Sequence, residues 1–91
     1  MKKEKDSVIW MGAGQIGLAI VRRIASGKKI IIGDKSMAHA QAAADLLNTT
    51  GFDAVAMETD LSSRESILSV IAEAQKYGNI RYLVNAAGVS P

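Results

Sequence analysis

Three glycines within six residues, Gly12-Ala13-Gly14-Gln15-Ile16-Gly17, constrain this chain more than any other feature. Before them stands Val8-Ile9-Trp10-Met11, a short continuous apolar run of the kind that suits a strand buried on both faces. After them, from Gln15 to Ser26, apolar residues at Ile16, Ile20, Val21 and Ile24 recur at helical spacing, with Arg22 and Arg23 turned outward. A doubly buried strand that turns at once into an amphipathic helix belongs to a parallel sheet covered by helices.

The remaining sequence repeats that alternation. Gly27 is placed to end the first helix in the left-handed conformation. Lys28-Lys29 lead into Ile30-Ile31-Ile32, a second buried strand closed by Gly33-Asp34. Met37 to Asn48 is alanine-rich and predicts a helix with Ala42, Ala43, Leu46 and Leu47 as its apolar stripe. Thr49-Thr50-Gly51 ends it. Phe52 to Met57 predicts a third strand, with Ala54 and Ala56 on one face. Ser62-Ser63-Arg64-Glu65 offers a capping box for a third helix, whose stripe of Ile67, Leu68, Ile71 and Ala74 runs to Gln75. Tyr77-Gly78 stops that helix, and Tyr82 to Gly88 gives a fourth strand and its exit turn.

The order β-α-β-α-β-α-β, with right-handed crossovers, places the strands 3-2-1-4 in an α/β, three-layer, doubly wound parallel sheet. Ninety-one residues make one domain, with residues 1–6 as a polar tail. Hydrophobic residues at 48% and charged residues at 22% exclude a disordered chain. The absence of cysteine removes disulfides, thiolate metal sites and cysteine nucleophiles. His39 alone cannot build a metal site. A net charge of +2 and four aromatics (Trp10, Phe52, Tyr77 and Tyr82) give little to hold nucleic acid. No apolar run approaches the length of a membrane span, and no signal-peptide core is present, so a cytoplasmic location is expected.

The glycine turn sits where a dinucleotide's diphosphate would bind. Gly12 permits the tight turn, Gly14 lets backbone approach a pyrophosphate, and Gly17 lets the helix lie against the first strand. Amides at the helix start, Gln15 and Ile16 among them, would then hold the phosphates with help from the helix dipole. Asp34 follows Gly12 by 22 positions and ends the second strand, where an acid accepts the ribose hydroxyls of an adenosine. A carboxylate there repels a 2′-phosphate, which favours NAD over NADP, while neighbouring Lys35 softens the repulsion. Asp34 could also cap the second helix, a role for which Ser36 competes and which can coexist with the first.

Two later segments carry a family likeness. Asp60-Leu61 after the third strand, and Asn85-Ala86-Ala87-Gly88 after the fourth, resemble the short-chain dehydrogenase/reductase family over roughly Val8 to Gly88. The resemblance implies a Rossmann-like fold and a nicotinamide cofactor. It implies that Asp60 takes the adenine amino group and that Leu61 contacts the ring through its backbone. Asn85 to Gly88 would support the central sheet beside the adenosine ribose. Read from its position alone, Asp60 could also cap the third helix.

The chain departs from the family in two respects. The usual T-G-x-x-x-G-x-G turn is replaced by a shorter one, with Met11 in the threonine's place. The family's serine, tyrosine and lysine catalytic set lies after the fourth strand, and nothing here matches its Tyr-x-x-x-Lys arrangement, so no catalytic residue is assigned. The expectation is the nucleotide-binding N-terminal part of an NAD(P)-dependent oxidoreductase, cut short after the fourth strand. A stand-alone binding or oligomerisation module, or an NAD-sensing regulatory domain, are the alternatives. The fourth strand lies at an apolar edge, which predicts a homodimer or larger oligomer through it.

Overall fold

The structure is a computed structural model and describes residues 5–86. Four strands, β1 (Ser7–Met11), β2 (Lys29–Asp34), β3 (Asp53–Glu58) and β4 (Ile80–Asn85), alternate with three helices, α1 (Gln15–Ile24), α2 (Met37–Thr49) and α3 (Arg64–Gln75). All strand pairs are parallel, and the order is β3-β2-β1-β4. The predicted Rossmann-like doubly wound sheet is therefore the fold.

Side chains alternate across a strand, so each apolar run supplies both layers. On one face Val8, Trp10, Ile30, Ile32 and Ala54 pack against Val21 and Ala25 of the α1 segment and Ala40, Ala44 and Leu47 of α2. On the other, Ile9, Met11 and Ile31 pack against Val70 and Ala74 of α3. This is why β1 and β2 are apolar without a break: both of their faces are covered.

The helices sit differently from their sequence stripes. α1 buries Gly17 and Val21, while Ile16 and Ile20 stand 56% and 42% exposed. α2 buries Ala40, Ala44 and Leu47 and leaves Ala42 and Leu46 outside. In α3, Val70 replaces Leu68 in the core. Each helix is rotated by about one position because β-sheet contact selects a narrow face, and the neighbouring apolar residues fall on its flank. β4 starts at Ile80 and ends at Asn85, two residues earlier than its apolar cluster suggested, since Ile80 pairs with Ser7 at the foot of β1.

The amino ends of the strands are closed by charge. Lys5 and Lys29 each place their ammonium 2.9 Å from a different oxygen of Asp53. Lys29 also lies over the Tyr77 ring at 4.7 Å. Lys5 donates its amide to the Tyr77 carbonyl, so this part of the segment read as a polar tail is tied to the end of α3.

Candidate functional site

The carboxyl ends of β1, β2 and β3 open on a cavity of about 380 Å³ lined by Gly12, Asp34, Lys35, Asp60, Leu61 and Ser62. Five of these six residues were singled out in the sequence, and the parallel register brings them together. Met11 pairs with Gly33 of β2, and Gly33 with Met57 of β3, so the three exit loops leave the sheet at one level.

The turn is built as its glycines demand. Gly12 takes φ 86°, a left-handed conformation that a side chain would strain. Its amide donates to the Gly33 carbonyl at 2.8 Å, which fixes the turn to β2. Gly14 is the N-cap of α1, and a Cβ added there meets nothing within 4 Å. Its surface is open to a ligand. It offers no capping side chain, and α1 has no acid in its first turn, so the amides that begin the helix keep their donor capacity. Gly17 is buried against β1: a Cβ there would lie 2.8 Å from Cε2 of Trp10 and closer still to Nε1. The Trp10 indole is 1% exposed and fills the space beneath the turn, its N–H without an acceptor among the described residues.

Asp34 is held from two sides. The Ala13 amide in the turn donates to its Oδ2 at 2.8 Å, and the Ser36 amide donates to its Oδ1 at 2.8 Å. The acid thereby couples the glycine turn to the start of α2. The helix itself is capped by Ser36, whose hydroxyl accepts from the His39 amide at 3.2 Å. A carboxylate oxygen can accept more than one hydrogen bond and each here takes one of these two amides, so capacity for a pair of hydroxyl donors remains.

Asp60 belongs to the turn before α3. Its Oδ1 accepts from the Ser62 hydroxyl at 2.6 Å and the Ser62 amide at 2.9 Å. These bonds hold its carboxyl below the usual carboxylate range, with the charge of Lys35 adding to the effect. Asp60 is ionised at neutral pH and is an acceptor for an amine. The cap of α3 is Ser63, which accepts from the Ser66 amide at 3.2 Å, so the expected box starting at Ser62 is displaced by one residue.

The other expected residues lie around this centre. Gln15 and Gly14 line a separate groove between α1 and α2 with His39. Leu61 and Asn85 border an apolar groove beside α3. The Ala86 amide donates to the Met11 carbonyl at 2.9 Å and ties the end of β4 to the turn. Ala87 and Gly88 lie outside the described residues. Sequence reasoning missed the part played by Ala13 and read Ser62 as a helix cap rather than as the partner of Asp60. Ala13 stands between two motif glycines, and Ser62 follows Asp60 at the spacing of an Asx turn, so both signals were present. No group of three or more histidines and acids among the described residues could hold a metal. No described helix is long and apolar enough to cross a membrane.

Comparison with known proteins places these features. Residues 6–91 match the family model described as short chain dehydrogenase. A short-chain dehydrogenase/reductase, bsc3 of Alternaria brassicicola, is 34% identical over 87 residues, which are 96% of this chain and 32% of that protein. Among solved structures, actinorhodin polyketide ketoreductase with NADPH aligns at a TM-score of 0.79 and 25% identity, over 89% of this chain and 32% of that one. A short-chain dehydrogenase/reductase from Burkholderia phymatum in complex with NAD aligns at 0.75 and 21% identity, over 91% and 31%, a likeness of fold. The chain thus spans about a third of the length of the relatives it matches. With its parallel sheet in the order β3-β2-β1-β4 and a glycine turn at the head of α1, this chain belongs to the short-chain dehydrogenase family.

Proposed function

We propose that these 91 residues are the dinucleotide-binding part of an NAD-dependent oxidoreductase that moves hydride between the nicotinamide and an alcohol or carbonyl. One observation carries the reading: Asp34, fixed to the glycine turn through Ala13, shares a cavity with Gly12 and Asp60. The amides that begin α1 hold the diphosphate, with Gly14 leaving room for it. Asp34 accepts the ribose hydroxyls, and Asp60 accepts the adenine amino group beside Leu61. Asn85 and Ala86, at the end of β4, support the central sheet beside the same ribose. When bound, the cofactor supplies the hydride, and the chain's residues fix its ADP end. No residue here is assigned to proton transfer.

The Asp34 carboxylate disfavours a 2′-phosphate, an effect that Lys35 in the same cavity softens without reversing, so NAD is preferred to NADP. Trp10, the single tryptophan, lies under the turn and reports on its occupancy. Titration of the folded chain with NAD, ADP-ribose and NADP, read by Trp10 fluorescence and by calorimetry, tests the assignment. NAD and ADP-ribose should bind with affinities within about tenfold of each other, and NADP more weakly by about tenfold or more. Heat-silent, fluorescence-silent mixing of NAD with a folded sample would remove the reading.

A further inference from the structure

Given the dinucleotide reading above, on which this rests, we infer that Thr59 is a positioning residue. Locked over Gly33, it sets where Asp60 stands relative to Asp34 and so governs recognition of the base.

Asp34 and Asp60 line one cavity but follow different strands. Ladder pairing between β2 and β3 ends at Asp34 and Glu58. Asp60 comes two residues later, and its backbone bonds run forward. Its amide donates to the Ser66 hydroxyl at 3.1 Å, and its carbonyl accepts from the Ser63 amide at 2.9 Å. These bonds seat it in the turn that starts α3. Thr59 supplies a bond that runs back to the sheet. Its amide donates to the Asp34 carbonyl at 2.8 Å, which ties the residue before one acid to the other acid itself.

The Thr59 side chain stiffens that link. Glu58 and Asp60 on either side are exposed, whereas Thr59 is fully buried. A buried hydroxyl needs a partner, and this one donates to the Met57 carbonyl at 3.2 Å, which fixes the turn by which the chain leaves β3. Gly33 makes room for it. A Cβ on Gly33 would lie 2.8 Å from Thr59 Oγ1 and 3.0 Å from Met11 Sδ. Gly33 is not among the glycines with positive φ, so its lack of a side chain answers to this contact and not to the backbone. A β-branched side chain with little rotamer freedom thus lies between Gly33 and the Met57 carbonyl.

With Asp34 on the ribose, the adenine amino group meets Asp60 when the two acids keep their spacing. Base recognition is therefore the property that Thr59 controls. Binding of the diphosphate and ribose depends on the α1 amides and on Asp34 instead.

Calorimetric titration of the full chain with NAD and with nicotinamide hypoxanthine dinucleotide, in which a carbonyl oxygen replaces the adenine amino group, measures base recognition as a ratio of dissociation constants. The unaltered chain should prefer NAD by about tenfold or more, because the Asp60 carboxylate otherwise loses a donor and faces an acceptor. Thr59→Val keeps the side-chain shape and removes the hydroxyl. It should cut the preference about threefold or more, while binding of the hypoxanthine dinucleotide changes by less than about twofold. Thr59→Ser keeps the hydroxyl and should restore the preference. Gly33→Ala presses on the same hydroxyl from β2 and should lower the preference as Thr59→Val does. Each titration is run below the variant's melting temperature, read by circular dichroism. An unaltered chain that prefers NAD, with the whole preference kept in Thr59→Val or in Gly33→Ala, overturns the role of Thr59 and leaves the site reading standing. So does a loss in Thr59→Ser as large as in Thr59→Val. Binding of neither dinucleotide, or of both alike, by the unaltered chain removes the site reading and the role of Thr59 with it.

Discussion

At the amino end of the sheet, Asp53 is gripped by the ammonium groups of Lys5 and Lys29, and Asp6 lies against Arg81. At the carboxyl end, Asp34 and Asp60 are satisfied by the amides of Ala13, Ser36 and Ser62 and by the Ser62 hydroxyl. Neither takes part in an ion pair among the described residues. The same residue type thus serves two purposes. A cation cancels the carboxylate charge where the acid only holds chain segments together. Neutral dipoles orient the carboxylate at the end of the sheet where the proposed dinucleotide would donate to it.

The largest test of this division uses two glycines, one at each end. Gly17→Ala drives a methyl into the buried Trp10 indole. Overpacking should cost about 2–3 kcal/mol and lower the melting temperature by roughly 10 °C or more. Nucleotide affinity should fall with it, because α1 is pushed off β1. Gly78→Ala places its methyl 2.7 Å from the carbonyl carbon of Lys5. It should cost about 1–3 kcal/mol while the affinity of the folded fraction stays unchanged. Equal losses of affinity in the two variants would show that the ends are not separable.

Asp34→Ala acts at the carboxyl end alone. It removes the acceptor of the Ala13 and Ser36 amides together with the proposed ribose acceptor. NAD affinity should fall by about 1.5–3 kcal/mol, a factor of ten or more, as expected for hydrogen bonds to a charged group. NADP should lose less, so the ratio of the two dissociation constants, measured by calorimetry, should move toward unity. An unchanged ratio would leave Asp34 with its structural role only.

The division was half visible in the sequence. The turn and the strand order were legible because short unbroken apolar runs such as Ile30-Ile31-Ile32 admit one environment, and because Gly12 and Gly17 answer backbone demands that are local. Asp34 and Asp60 were legible from their positions at strand ends. The amino-end clamp was not, since it joins residues 24 and 48 positions apart and its partners meet only through strand register. Helix faces were misjudged at Ile16, Ile20, Leu46 and Leu68 for a related reason. Periodicity finds an apolar stripe, but the sheet beneath decides which edge of that stripe is buried.

The smallest expected effect concerns pH. Hydrogen bonds from Lys29 and then Lys5 hold the Asp53 carboxyl below its ordinary value of 3.8. A lowered folded-state value means that the unfolded chain binds the proton more readily. The contribution is therefore complete above the ordinary value and is lost as pH falls through the lowered one. Asp53 is 44% exposed, so solvent screening keeps the gain below about 1 kcal/mol. Asp53→Asn should accordingly cost less than about 1 kcal/mol at neutral pH. Added salt should shrink that difference, and it should vanish in acid below the folded-state value. Urea unfolding of both proteins at several pH values reads the effect directly. A gap that persists in strong acid would mean that Asp53 acts through packing rather than charge, and the contrast between the two ends of the sheet would lose its electrostatic basis.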